Sequence, residues 1–113
     1  MNILKLYELR FHVTAAAAIL DTDPALLNTN GDASEIGVEL ASPHLIGALE
    51  ILEHYDLGYA GGVLVSYLSL VSQGLNNKKY PEHGRREVVS GIRGAVVLTD
   101  GLLGGATFIS GAN

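Results

Sequence analysis

A mainly α-helical fold, a compact bundle of about four helices with short connecting turns, is what this sequence predicts, on three observations. Apolar residues recur at steps of three and four over most of the chain. Pro, Gly, Asn and Asp cluster at a few places and divide it into helix-length pieces. Apolar residues make up 48% of the 113 residues, the ordinary globular share, and one domain of this length can bury them in a single modest core. Residues 1–113 are therefore read as a single domain.

Residues 3–20 open the bundle. Leu6, Leu9, Val13, Ala16 and Leu20 mark one face, and Leu4, Tyr7, Phe11, Ala15 and Ala18 form an adjoining stripe. Lys5, Glu8 and His12 share the polar side, which makes His12 an expected partner for Glu8. The Ala15–Ala18 run favours helix and leaves a smooth surface for another backbone. Asp23-Pro24 then supplies an N-cap and a first helical position for a short helix. Asn28-Thr29-Asn30-Gly31 is a turn, and Asp32 with Glu35 has capping-box spacing ahead of Ile36 and Leu40. The acidic groups at Asp21, Asp23 and Asp32 lack the order and closing Glu of a calcium loop, and helix capping is the reading adopted for Asp23, Asp32 and Glu35.

Ser42-Pro43 reads as the start of a helix that Gly58 stops in a left-handed conformation. Next comes an uncharged run, Leu57–Asn77, in which Leu64, Tyr67, Leu68 and Val71 fit a core helix from Ala60 to Gln73 that ends near Gly74. The run is long enough to span a membrane. Its glycines, serines and amides make it a poor insertion candidate, and a membrane hairpin of Leu57–Asn77 with Val88–Ser110 is kept only as an alternative. Asn76–Gly84 reads as a polar loop. Val88, Ile92, Ala95, Leu102, Ala106 and Ile109 extend a last helix, expected to break or bend near Gly101. The alternative is an α+β fold with a β-hairpin at about 95–110, signalled by Asp100-Gly101 between β-branched flanks.

Charge bounds the function. The net charge is −5, and acidic bulk argues against nucleic acid as a partner, because affinity for its backbone comes from neutralising phosphates. Residues 1–77 carry two basic against nine acidic residues, whereas residues 78–113 carry five basic against three acidic. Glu53 and Asp56 fall in the last turn of the helix read over 43–57, where the macrodipole already favours cations. Lys78, Lys79, Arg85, Arg86 and Arg93 are the expected answer, from the same subunit or a neighbour. Charged residues are only 17% of the chain, below the usual ~25%, and so little charge points to an apolar surface that a homo-oligomer or protein partner covers.

Chemistry-bearing patterns are sparse. Without cysteine there is no disulfide, no thiolate zinc site and no thiol nucleophile. The serines sit in no nucleophile elbow, the histidines in no H-E-x-x-H, and no phosphate loop occurs. His44, Glu50, Glu53 and His54 form a candidate ligand or metal set, though the Glu-x-x-His spacing of di-iron bundles has no second copy. His83, Arg85 and Arg86 at a helix start form a candidate anion site. No cofactor is expected. Glu8, Arg10 and His12 interrupt what a signal peptide needs to be uncharged, and the cytoplasm is the expected compartment. The reading is a small non-enzymatic interaction or assembly protein that acts by stoichiometric binding to a protein partner or to itself.

Overall fold

A computed structural model describes the backbone of residues 3–21, 35–76 and 81–112, and the side chains of residues 3–20, 38–76 and 84–105. The helices are α1 (Ile3–Asp21), α2 (Glu35–His54), α3 (Tyr59–Asn76) and α4 (Pro81–Ala112). No strand occurs among the described residues, and the mainly α bundle stands. The hairpin alternative is corrected: α4 runs unbroken through 95–110. Thr99, at its centre, donates its buried hydroxyl to the carbonyls of Ala95 (2.9 Å) and Val96 (3.1 Å). A β-branched residue that looked like strand is satisfied within the helix. The expected break near Gly101 is also absent, because Val88, Ile92, Ala95, Thr99 and Leu103 keep one buried face across it.

Pro43 lies inside α2 and does not begin it. Proline there removes one main-chain hydrogen bond, while Ser42 Oγ donates to Val38 O at 2.6 Å. Val38 and the fully buried Ala41 anchor the upstream turns in the core, so packing carries the helix past the proline. Gly58 does adopt the left-handed conformation, with φ of 62°. It sits four residues beyond the end of α2 and immediately before α3. Asp56 Oδ1 accepts its N–H at 2.7 Å, and Gly61 N–H donates to its carbonyl at 3.1 Å. The expected N-cap at Asp23, the turn 28–31 and Asp32 lie outside the described residues.

α1 packs between α2 and α4, α3 packs along α4, and α2 and α3 touch only lightly. The 32 residues of α4 span about 48 Å at 1.5 Å per residue, which sets the 51 Å long axis of the molecule. One core runs through all four helices, from Leu9, Val13 and Leu20 through Leu45 and Ile51 to Leu64, Leu68, Val88 and Ile92. Gly74 does not end α3. A Cβ there would collide with the Gly84 carbonyl, and one on Gly91 would lie 2.6 Å from Tyr67 O. These contacts, Gly74 with Gly84 and Tyr67 with Gly91, make α3 and α4 antiparallel and closely apposed. Among the described residues one helical segment, Gly84–Gly105 in α4, is long and apolar enough to cross a membrane by length and composition. α3 is not, and the alternative membrane hairpin needs both.

Candidate functional site

α1 carries two apolar faces, one buried and one exposed, beside a polar side of Lys5, Glu8 and His12. The face marked by Leu6, Leu9, Val13, Ala16 and Leu20 is buried, as its spacing implies. The second stripe faces outward, with Leu4 71%, Tyr7 47% and Phe11 60% exposed. Tyr7, Phe11, Thr14, Ala15 and Ala18, with Arg10 at the edge, line an open recess of about 440 Å³. Ion pairs fence the stripe on both sides. Arg10 Nε donates to Asp100 Oδ1 of α4 at 2.6 Å, and Lys5 Nζ donates to Glu8 Oε2 at 2.9 Å. The hydrogen bond to Glu8 holds the Lys5 ammonium above its ordinary pKa of 10.5, and the same ammonium lies 5.6 Å from the centre of the Tyr55 ring.

Glu8 is thus taken by Lys5, and His12 turns instead to α2. Its Nδ1 lies 3.1 Å from Nδ1 of His44. Phe11 sets its ring edge-on to both imidazoles, with centroids 5.3 Å from His12 and 5.6 Å from His44. Gly47, one turn along α2 from His44, makes room for this. A Cβ at position 47 would lie 2.9 Å from the His12 ring. Sequence reasoning placed His44 among the candidates and missed its partner, because the i, i+4 spacing of Glu8 and His12 offered a nearer one. The signal available was Gly47, a glycine inside a strongly helical stretch.

The remaining expected site residues do not converge on this pair. Glu50, Glu53 and His54 are exposed on α2, while His44 faces α1. Among the described residues no group of three or more His, Asp or Glu side chains is positioned to share a metal ion. Lys78 and Lys79 and the side chain of His83 lie outside the described residues, so the proposed anion site is placed only at Arg85 and Arg86, in the first turns of α4. Each of those arginines makes an interaction of its own. Arg93 edges a second recess, of about 520 Å³, with Tyr67, Gly94 and Val97.

The topology sets Arg85 and Arg86 at the opposite end of α3 from Glu53 and Asp56. Glu53 and Asp56 precede the start of α3, whereas Gly84 lies beside Gly74 near its end. The 18 residues of α3 hold the two groups about 27 Å apart. Among the described residues the Asp56 carboxylate is used locally, by Gly58 N–H. That separation applies to Arg85 and Arg86; Lys78 and Lys79 lie outside the described residues, and Arg93 lies further along α4, beside the Tyr67 turn of α3.

Comparison with protein-family models, with curated proteins and with solved structures finds no match for this chain.

Proposed function

We propose that this chain is a non-enzymatic assembly protein of the cytoplasm whose α1 outer face docks against the same face of a second copy. The observation that carries this reading is the stripe of Leu4, Tyr7 and Phe11, large apolar side chains exposed on a helix with no charge between its two flanking ion pairs. Contiguous exposed apolar surface marks an interaction site.

The order of side chains along the stripe favours self-pairing. About a twofold axis through Phe11, an antiparallel partner brings Leu4 opposite Ala18, Tyr7 opposite Ala15, and Phe11 against its own copy. Large residues then face small ones at both ends, and the two central rings can stack. Removing the exposed parts of these six side chains from water is worth roughly 5–10 kcal/mol at ~1.5–3 kcal/mol per fully buried side chain. Association itself costs about 4–15 kcal/mol, so the dimer is a weak one that forms as concentration rises. Sedimentation velocity over a concentration series tests this. The sedimentation coefficient rises with concentration for the native chain and stays at the single-chain value for Phe11→Asp, whose circular dichroism remains helical. A native chain that sediments as one 11.9 kDa species at every concentration would overturn it.

A further inference from the structure

We propose that the His12–His44 pair is an acid-sensitive latch on the contact between α1 and α2, closed while the two imidazoles share one hydrogen bond and released when both are charged. The two Nδ1 atoms lie 3.1 Å apart and the ring centroids 5.4 Å apart, so one Nδ1–H donates to the lone pair of the other Nδ1. In the neutral pair the donor ring has a bare Nε2, and the acceptor ring carries its proton on Nε2. A first added proton goes to the bare Nε2 and leaves a stronger, charge-assisted bond. A second can go only to the acceptor Nδ1, whose lone pair holds the contact. Two N–H groups and two cations then oppose each other, and the rings must part. The His12 ring rests on Gly47, where a Cβ would lie 2.9 Å away, so its departure unseats α1 from this part of α2. Neither Nε2 has a partner among the described residues and neither is a buried orphan, so water delivers the first proton. No carboxylate among the described residues forms an ion pair with either ring to hold the doubly charged form. Glu8, one turn before His12, is taken by Lys5, and Asp100 of α4 by Arg10. Glu39 and Glu50, the nearest carboxylates of α2, are exposed and more than a full turn from His44.

Histidine ¹⁵N NMR of the full native chain tests the latch without any variant. At about pH 8 one of the two rings is expected in the Nδ1–H form and the other in the Nε2–H form, while the exposed His54 averages between them. His12 and His44 in the same form would overturn the proposal. On acidification to about pH 5 both rings should be protonated, and the nuclear Overhauser contact between the His12 ring and Gly47 should be lost. A contact that persists at that pH, whatever the proton count, contradicts release. Urea unfolding supplies the sign. The unfolded chain takes the second proton freely, so the latch contributes fully above about pH 7 and is lost as pH falls from about 6.5 toward about 5. Over that range the folded-to-unfolded ratio of the native chain should drop by up to about tenfold per pH unit more than that of His12→Gln or His44→Gln, which have no pair to disrupt. Equal pH dependence in all three would also overturn it.

Discussion

The two helix pairs of this bundle are joined by different means. α3 and α4 meet backbone to backbone, with Gly74 and Gly91 placed where any side chain would strike main-chain atoms of the other helix. α1 and α2 meet through side chains, and the glycine at their contact, Gly47, makes room for an imidazole rather than for a carbonyl. A contact between main chains has nothing that can yield, whereas a ring at the end of a side chain can swing aside. The α3–α4 pair is therefore the rigid half of the molecule. The α1–α2 pair is the adjustable half, and it carries both the exposed stripe and the histidine pair.

Glycine substitutions break or sharpen that comparison most strongly. Gly91→Ala puts a methyl 2.6 Å from Tyr67 O and is expected to cost about 1–3 kcal/mol in urea unfolding, the usual penalty for overpacking. Gly101 lies in the same helix with nothing near its missing side chain, so Gly101→Ala should stabilise by up to about 1 kcal/mol through helix propensity alone. Two alanine substitutions in one helix with opposite signs would confirm that packing, not propensity, placed Gly91. Equal signs would remove the distinction.

Gly47→Ala falls between them. It gains helix propensity and displaces only a ring, so its unfolding midpoint should move by less than that of Gly91→Ala and its helicity should not fall. A loss as large as the Gly91 loss would mean that the α1–α2 contact is as rigid as the other. Smaller again is the link between the two halves. Arg10 and Asp100 are each nearly half exposed, and Asp100→Asn should cost no more than about 1 kcal/mol, less at high salt.

The smallest effect concerns Lys5. Its pKa is raised by Glu8, so whatever the pair contributes is complete below the unfolded value of about 10.5 and disappears only as pH climbs through the higher folded value. Melting of the native chain and of Lys5→Gln should run parallel from pH 6 to 9, within the range where Lys stays charged. A difference between them that changes within that window would show that another group controls the pair.

How far the sequence could be read follows from the same physical split. The buried face of α1 was legible because Leu6, Leu9, Val13, Ala16 and Leu20 need only helical spacing. The left-handed Gly58 was legible because φ is a local property. Pro43 misled, since a proline after a serine signals a helix start locally and only the burial of Ala41 overrides it. Gly74 reads as a helix end and Gly101 as a break or bend. The first is required by the close approach of the next helix, at Gly84 and Val88, and the second is tolerated because the residues around it keep one face buried. At the candidate site, His44 could be singled out, but His12 could not be given to it. That pairing depends on α1 and α2 lying side by side, and a ring contact across 32 residues leaves no periodic trace.

Disulfide trapping puts the docking claim to its most direct test. The chain contains no cysteine, so Phe11→Cys introduces a single thiol at the point where the proposed twofold axis passes. Mild oxidation should convert this variant to a covalent dimer, while Leu40→Cys and Val97→Cys, exposed on α2 and α4, stay largely uncrosslinked under the same conditions. Crosslinking of all three at similar rates, or of Phe11→Cys least, would contradict α1-to-α1 docking.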